Sequence, residues 1–511
     1  MKSKIVIGID IGTTSTKTVA YQLNGDLWSE SEKEYPLYVP DPTKKEQDPE
    51  EILEAVISTL SEVVQKVSSK DGHVIGVGFS SAMHSLLGVD DQGQPLTNVI
   101  TWADQRAVQE VEDLKRSGEG HDIYIRTGTP LHPMSPLAKL IWFNNHESEL
   151  TQKVQKWISI KEYVTYRLFH RYVVDYSIAS ATGLFHLKTL DWDEEALTLA
   201  QIREDQLSLP ISTTSILTGM DPMYAEQIGL SVDTPFVIGA SDGVLANLGV
   251  GAIQPGVVAC SVGTSGAVRS VVDRPITDPE GRLFCYALTE DKWVIGGPIN
   301  NGGIALQWLR DSIFPELVEK AGQQNPYDYL MKEASTVPVG SDGLLFLPYL
   351  LGERAPFWDA ETKGVFFGLT LHHEKRHMIR SVLEGVMYQL QMVVRVMEEA
   401  GVTPVEIRAN GGFARSNLWR QIMADIFNTS ISFPENHQSA CFGAACLTLK
   451  ALGEMDNLDE VLPLVNITDR QTPVPEQASL YEQYKPLFYR LAHKLAPEFQ
   501  NLSELNQRIK G

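Results

Sequence analysis

The sequence predicts an α/β protein built from two domains. Its 511 residues exceed what one hydrophobic core usually organises. Strand-like segments alternate with amphipathic helical segments, which is typical of α/β folds. The stretch "DIGTTSTKTVA" near the start is also echoed by "SVGTSGAVRSV", at an offset of 251 residues from Gly12 to Gly263. This spacing of about half the chain favours two duplicated domains, each opening with a similar hairpin.

Composition and charge exclude several classes of partner. The chain has 65 Asp and Glu against 43 Lys and Arg, a net charge of −22, and no cluster of basic residues. Nucleic acid and anionic membrane surfaces reward clustered Lys and Arg, so neither is expected as a partner. The apolar run at the N-terminus is too short for a signal peptide, and no apolar run is long enough to span a membrane, so a cytoplasmic protein is expected.

Neither the cysteines nor the histidines predict a metal centre. The cysteines contain no C-x-x-C pair, and three lie among small or apolar residues, so buried thiols are expected. They are Cys260, Cys285, Cys441 and Cys446. His372, His373 and His377 have spacing that suggests a metal cluster, but they open a long helix without carboxylates around them. A solvated helix face is predicted there.

Two long helices can be placed from hydrophobic periodicity. Residues 48–67 carry apolar side chains at helical spacing, with Asp48 as the predicted N-cap and Pro49 at the first helical position. Residues 374–401 keep the same spacing and end at Gly401, where a C-terminal glycine belongs.

The two echoed segments each predict a strand, a turn of glycine and hydroxyl residues, and a second strand. Glycine lets the backbone turn sharply and approach a ligand, while hydroxyls can donate to phosphate oxygens without adding bulk. Two such hairpins facing each other across a cleft would hold a phosphate group without a Walker loop. The alternative is a polar β-turn that binds nothing. The predicted contacts are Gly12, Thr13, Thr14, Ser15, Lys17, Gly263 and Thr264.

An aspartate at the end of the first strand predicts a metal ion. Phosphates would repel Asp10 unless a divalent cation lay between them. Mg²⁺ fits this role, because it is commonly held by one or two carboxylates together with waters and phosphate oxygens. Lys17 is a further charge partner for the phosphates.

A third glycine segment, residues 409–426, reads as a strand end, Gly411 and Gly412, and then a helix. Small residues there would let an adenine ring lie against the backbone. Ser416, in the same segment, joins the predicted nucleotide contacts. The alternative is that these glycines only allow close packing at a strand–helix junction.

The segment "TPFVIGASDGVLANLG" contains a candidate general base. An apolar strand ends at Ser241 and Asp242, and a helix follows. Ligands of α/β folds bind at such carboxyl ends of strands, and phosphoryl transfer needs a group that accepts the proton of the attacking hydroxyl. The alternative is that Asp242 merely caps the helix.

Two segments of the first half predict the acceptor site. Met83 and His84 end a strand, and "TWADQRA" follows closely. Trp102 can cover the C–H face of a sugar, while Asp104 and Arg106 can bond hydroxyls or a carboxylate. The alternatives are a structural histidine and a local surface ion pair between Asp104 and Arg106.

The order of these motifs resembles the FGGY family of carbohydrate kinases, within the larger sugar kinase, actin and chaperone ATPase fold. DxGTTxxK, GTSG and GGF follow one another, and residues 134–146 and 364–385 resemble the family's two signature stretches. The resemblance implies two actin-like, ribonuclease-H-like domains with a cleft between them. The implied segments are 1–247 for the acceptor and the base, 248–455 for the nucleotide, and a helical extension over 456–511.

The same resemblance implies ATP and Mg²⁺ and matches Asp242 to the family's catalytic aspartate. It matches Gly303 and Gln307, with Thr264 and Gly412, to nucleotide-contacting positions. It also suggests a homodimer. The role of Arg354 is left open between an interdomain salt bridge and a nucleotide contact.

Within the family, the acceptor segments are most similar to those of members that phosphorylate gluconate. Ser241 stands where xylulose-phosphorylating members usually carry glycine. The expected reaction transfers the γ-phosphoryl group of ATP to the 6-hydroxyl of gluconate, with Arg106 preferred over His84 as the partner of the acceptor carboxylate. The alternatives are xylulose, ribulose or glycerol as acceptor and, more remotely, a non-metabolic actin-like ATPase.

Overall fold

The computed structural model describes residues 2–316, 325–435 and 438–510. Its helices are α1 Pro49–Ser69, α2 Val108–Ser117, α3 Glu119–Thr127, α4 Pro136–His146, α5 Ser148–Thr151, α6 Ile160–Phe169, α7 Tyr176–Ser180, α8 Glu194–Leu199, α9 Pro222–Ile228, α10 Asp242–Gly249, α11 Gly303–Trp308, α12 Pro326–Ser335, α13 Lys375–Glu399, α14 Asn417–Phe427, α15 Ser439–Ala451 and α16 Pro475–Lys510. Its strands of three or more residues are β1 Ser3–Ile11, β2 Ser15–Gln22, β3 Leu27–Glu34, β4 Gly72–Ser81, β5 Leu87–Val89, β6 Lys156–Ile158, β7 Val173–Asp175, β8 Leu209–Ile211, β9 Phe236–Ser241, β10 Val257–Val262, β11 Gly266–Val272, β12 Phe284–Ala287, β13 Trp293–Ile299, β14 Leu345–Leu347, β15 Val365–Phe367, β16 Glu406–Asn410, β17 Ile431–Pro434 and β18 Ile467–Gln471.

The chain forms two compact units that are not contiguous in sequence. The first unit comprises Met1–Gln254, Val271–Ile295 and Asn436–Val465. The second comprises Pro255–Ser270, Gly296–Glu435 and Asn466–Gly511. This division differs from the three contiguous segments expected from the sequence, because α15 packs on the sheet of the first unit and β18 joins the sheet of the second.

The sheet of the first unit has the strand order β3, β2, β1, β4, β9 and a short strand, Ile216–Leu217. Strands β1 to β3 are antiparallel neighbours, whereas β1, β4 and β9 are parallel. Their carboxyl ends therefore meet at one edge of the sheet. This edge carries the aspartates predicted to act in catalysis.

Helices cover both faces of this sheet. The odd-numbered residues of β1 from Ile5 to Ile11 pack with the apolar stripe of α1, which includes Val56 and Leu60. On the other face, Val6 packs with α10 and α15. Burial on both faces explains why β1 reads as a continuous apolar run.

The second unit repeats the strand arrangement. Five strands of its sheet run in the order β11, β10, β16, β17 and β18, with the first and last of these pairs antiparallel and the two middle pairs parallel. The first unit has the same sequence of directions from β2 through Ile216–Leu217. Each echoed segment is a β-hairpin, β1–β2 and β10–β11, as the sequence predicted.

Local signals in the sequence located the two long helices well. The Asp48 side chain accepts a hydrogen bond from the backbone N–H of Glu50 at 2.8 Å, which confirms it as the N-cap of α1. Helix α13 spans Lys375–Glu399, and Gly401 follows it in a left-handed conformation with φ +90°. All four cysteines are buried free thiols, as predicted.

Among the described residues, the helices are too short or too polar for a membrane-spanning segment.

Candidate functional site

Parallel pairing brings two aspartates to one sheet edge in the first unit. Asp10 near the end of β1 lies opposite Ser80 of β4, and Ser241 at the end of β9 lies opposite Ser81. Asp242 follows directly as the first residue of α10. Strand register thus places Asp242 two residues beyond the level of Asp10, so both aspartates lie near the same edge of the sheet.

The two carboxylates influence each other electrostatically. Burial raises the pKa of Asp10 to about 6, and the negative charge of Asp242 adds to this effect. The Ser80 hydroxyl, which donates to Asp10 Oδ1 at 2.7 Å, and the nearby Lys17 act in the opposite direction. A cation beside Asp10 would favour its ionised form.

The residues at this edge are suitable ligands for Mg²⁺. The donors at this edge are carboxylate and hydroxyl oxygens, the hard ligands that Mg²⁺ prefers. No group of three or more His, Cys, Asp or Glu within 2–316, 325–435 and 438–510 could hold a metal ion by itself. A magnesium ion here would therefore complete its coordination with waters and phosphate oxygens.

Asp242 is not the N-cap of α10, so the capping interpretation was wrong. Ser241 occupies the N-cap position, and Asp242 is the first helical residue. Its Oδ1 accepts a hydrogen bond from the backbone N–H of Gly243 at 2.6 Å. At a helix N-terminus the macrodipole favours a negative charge, so the position suits an ionised carboxylate.

A buried ion pair supports the strand end that carries Asp242. Lys161 Nζ lies 2.6 Å from Asp175 Oδ2 and donates to the carbonyl oxygen of Ala240 at 3.1 Å. The backbone N–H of Ser241 donates to the Ser177 hydroxyl at 3.1 Å. Sequence reasoning missed this support, because nothing local to Lys161 indicates burial.

The turn between β1 and β2 is braced from several sides. The Tyr35 hydroxyl donates to the Gly12 carbonyl oxygen at 2.6 Å, and the Gln47 side chain donates to the Thr13 carbonyl oxygen at 2.6 Å. Thr14 is exposed at the tip of this turn, whereas Ser15 is buried and donates to Glu32. Lys17 Nζ lies 3.5 Å from the Glu32 carboxylate.

One side chain links this turn to the predicted acceptor segment. The Trp102 indole Nε1–H donates to Thr13 Oγ1 at 2.9 Å. The Thr13 hydroxyl keeps its own proton for donation to a ligand. The hydrogen bond ties the predicted phosphate and acceptor elements of the first unit together.

His84 is buried and structurally held. Its Nδ1 lies 2.7 Å from the carbonyl oxygen of Ala181, and its ring packs edge-on against Tyr286. Its backbone is left-handed, with φ +67°. Met83, beside it, is partly buried against the apolar clusters of this unit.

Asp104 and Arg106 form an ion pair, which was the alternative to acceptor binding in the sequence analysis, but the pair is buried and does not lie on the surface. Arg106 Nε donates to Asp104 Oδ1 at 2.8 Å, and its Nη2 donates to Asp104 Oδ2 at 2.9 Å and to Glu46 Oε1 at 2.5 Å. These bonds occupy the edge of the guanidinium that would grip an acceptor carboxylate. The structure therefore conflicts with the prediction that Arg106 binds that carboxylate with two parallel bonds.

The turn between β10 and β11 is fixed by the start of α11, within the second unit. The backbone N–H of Gly303 donates to the Gly263 carbonyl oxygen at 2.7 Å, and that of Gly302 donates to the Thr264 carbonyl oxygen at 3.1 Å. The prediction for Gly303 came from the family resemblance alone. The structure brings it to the turn that carries Gly263 and Thr264.

A pocket of about 340 Å³ in the second unit collects most of the nucleotide contacts predicted for that unit. Six of them line it: Gly263, Thr264, Gly303, Gln307, Gly412 and Ser416. Gly411 is adjacent, with φ +108°, and a Cβ atom there would collide with the Val262 carbonyl oxygen. The pocket also has a wall that sequence reasoning missed, formed by Asn325, Tyr327, Asp328 and Met331.

Two other predictions concern side chains of the second unit. His372 is exposed, but His377 is buried and its Nε2 lies 3.1 Å from Asp342 Oδ2, so the prediction of a solvated face was wrong there. The Nδ1 atom of His377 accepts a hydrogen bond from the backbone N–H of Glu374, at the start of α13. Arg354 is buried and donates to the Ile299 carbonyl oxygen at 3.2 Å.

Family models match both halves of the chain. The FGGY family of carbohydrate kinases, N-terminal domain, matches residues 5–249. The C-terminal domain of the same family matches residues 258–452.

Full-length relatives and solved structures agree with these matches. A gluconokinase from Bacillus subtilis (strain 168) is 49% identical over 507 residues, covering 99% of this chain and 98% of that protein. A gluconate kinase from Lactobacillus acidophilus has a TM-score of 0.93 at 39% identity, over 98% of this chain and 100% of that chain. A ligand-bound xylulose kinase from the same species gives the same TM-score, identity and coverage. The predicted α/β fold of the sugar kinase and actin-like ATPase type is confirmed, and the chain belongs to the FGGY family of carbohydrate kinases.

Proposed function

We propose that this carbohydrate kinase transfers the γ-phosphoryl group of ATP to the 6-hydroxyl of D-gluconate. The acceptor rests on one observation, the 49% identity to a gluconokinase over 99% of the chain. The chemistry rests on the sheet edge of the first unit and on the pocket of the second.

Asp242 is the general base in this proposal. Its place at the end of β9 and the start of α10 supports the role, because a helix N-terminus favours a negative charge and a carboxylate can accept a proton. As the 6-hydroxyl oxygen bonds to the γ-phosphorus, the bond to the ADP oxygen breaks and the hydroxyl proton passes to Asp242. Lys161 and Ser177 hold the strand end that carries it.

Asp10 would hold Mg²⁺, with Asp242 as the other carboxylate at this edge. When bound, the ion would neutralise charge on the phosphates of ATP. The raised pKa of Asp10 supports the assignment, since a carboxylate in this environment gains most from a cation.

The pocket of the second unit is assigned to the nucleotide. Gly263 and Gly412 leave open space beside the backbone, where the base and phosphates can approach closely. Gly263 and Thr264 are assigned to the phosphates, together with Gly12, Thr13 and Thr14. Lys17 adds a positive charge, and Ser15 has a supporting role because its hydroxyl binds Glu32.

The acceptor is assigned to Met83, His84 and Trp102. Asp104 and Arg106 shape the segment that carries Trp102, because they bind each other and Glu46. We therefore no longer assign the acceptor carboxylate to Arg106. His84 is the remaining candidate from the sequence for that contact.

The test is an acceptor panel that follows ADP release with gluconate, xylulose, ribulose and glycerol. We expect kcat/KM to be highest for gluconate by at least about tenfold, a difference of about 1.4 kcal/mol in transition-state binding. Xylulose is the second candidate, since a xylulose kinase is equally similar in structure. A higher kcat/KM with any other acceptor would reject gluconate as the substrate. A rate of ADP release that none of the four acceptors changes would reject sugar phosphorylation.

A further inference from the structure

A fully buried lysine joins the two predicted acceptor segments of the first unit. Lys139 lies in α4 and has no exposed surface. Its Nζ donates to the carbonyl oxygen of His84 at 2.6 Å and to that of Thr101 at 2.9 Å, and it lies 3.4 Å from that of Ile100. One amino group is therefore shared by the two loops that carry the predicted acceptor contacts.

Two of these carbonyl groups lie at predicted acceptor contacts: one belongs to His84, and the other belongs to Thr101, which precedes Trp102. His84 is itself such a residue, and its backbone adopts the left-handed conformation that non-glycine residues rarely occupy. Thr101 directly precedes Trp102, whose indole donates to Thr13. A backbone bridge between Leu86 and Ile100 already pairs the two segments, and the bonds from Lys139 to the carbonyl groups add a second link that fixes the separation of His84 and Trp102.

The choice of a lysine here is informative because burying an ammonium group is costly. Burial lowers the pKa of Lys139 to about 7, while the charge of Asp104 raises it and that of Arg106 lowers it further. An apolar side chain of the same length would avoid this cost, but it would leave the carbonyl oxygens without this donor. Three acceptors aimed at one point require a donor that can serve all of them, and an ammonium group has three N–H bonds.

We propose that Lys139 is a positioning residue that sets the distance between His84 and Trp102 and thereby the affinity for the acceptor. The inference rests on the proposed assignment of these two residues to the acceptor. Lys139 does not touch substrate in this account. It acts through the backbone of both segments.

The experiment is steady-state kinetics of Lys139→Met, which keeps the length of the side chain and removes its donors. We expect KM for the acceptor to rise about 10- to 100-fold, since hydrogen bonds to a charged donor are among the strong ones. KM for ATP should change less than about threefold, because the pocket assigned to the nucleotide lies in the other unit, and Lys139 reaches the proposed phosphate contact Thr13 only indirectly, through the segment that carries Trp102. Lys139→Arg is the second variant, and it should raise KM for the acceptor by a smaller factor, because a guanidinium still offers N–H donors to the carbonyl groups. A change should remain, because a planar guanidinium cannot place its donors where the ammonium group does.

The control separates positioning from a general loss of stability. Leu60→Ala removes a fully buried side chain from α1, a helix that carries none of the predicted site residues. Its melting temperature should fall as much as that of Lys139→Met or more, without the rise in acceptor KM. Equal changes in both KM values, or an unchanged acceptor KM in either lysine variant, would overturn the proposal.

The kinetics are measured with whichever acceptor the wild type phosphorylates. If that acceptor is not gluconate, the proposed function fails in its acceptor while the Lys139 test stands. If gluconate is the acceptor and the split is absent, only the inference about Lys139 fails.

Discussion

Gly263 provides a direct test of whether the β10–β11 turn receives phosphate. A Cβ atom built at Gly263 meets no heavy atom within 4 Å, and its φ lies outside the left-handed range. Gly263→Ala should therefore change the free energy of unfolding by no more than about 0.5 kcal/mol. If phosphates lie against this turn, the added methyl group occupies their space, and overpacking of about 1–3 kcal/mol corresponds to a rise in KM for ATP of about 5- to 150-fold.

Gly302→Ala is the matched comparison. There a Cβ atom would lie 2.5 Å from the Ser265 carbonyl oxygen and 2.9 Å from that of Gly263, so the protein backbone itself must move. This variant should lose about 1–3 kcal/mol of stability, or about 2–4 °C in melting temperature per kcal/mol for domains of about 150–250 residues.

The assay combines initial rates at varied ATP and saturating acceptor with thermal unfolding of both variants. We expect a raised KM for ATP with an unchanged melting temperature for Gly263→Ala, and a lowered melting temperature for Gly302→Ala. A Gly263→Ala protein with wild-type KM for ATP would show that the phosphates do not lie against this turn. A lowered melting temperature for the same variant would contradict the open space described at Gly263.

Three further predictions follow from the first unit. Asp242→Asn should lower kcat by about 10²- to 10⁴-fold while equilibrium titration shows ATP still bound, and wild-type turnover would exclude the base assignment. Arg106→Met should lower the free energy of unfolding in urea by about 3–5 kcal/mol, because it removes the ion-pair partner of the buried Asp104 carboxylate. A stable variant with a raised KM for the acceptor alone would instead support binding of the acceptor carboxylate by Arg106. Because the folded pKa of Lys139 is lowered from 10.5 to about 7, this lysine binds more protons in the unfolded chain than in the folded one between those pH values, and its contribution to stability rises with pH there. The melting temperature of Lys139→Met should therefore fall further behind that of the wild type as pH increases through this window. A constant difference would contradict the shift.

Sequence reasoning succeeded where the signal was local. The hairpins at Gly12 and Gly263 could be predicted because glycine and hydroxyl residues interrupt apolar runs at matching positions. The cap at Asp48 was equally clear from the proline that follows it. The segments predicted to contact the nucleotide are short motifs, and residues from them line one pocket of the second unit.

The remaining features depend on partners that are distant in sequence. Arg106 could not be assigned correctly because Glu46, one of its partners, lies on another segment, 60 residues earlier. Lys139 reads as a solvent-facing residue in a helical pattern, and only the tertiary fold shows the carbonyl groups around it. Tyr327 and Met331 belong to a helix whose sequence says nothing about the pocket it lines.

The place of α15 affects how the protein can be synthesised. Gly8 in β1 packs so closely on α15 that a methyl group there would collide with the Cys441 carbonyl oxygen. A nascent chain that has not yet reached Ser439 lacks this cover, so part of one face of its first sheet is left with α10 alone on the ribosome. Chains terminated early would expose apolar surface there and become targets for chaperones, because the first unit completes its core only when α15, near the end of the polypeptide, has been synthesised.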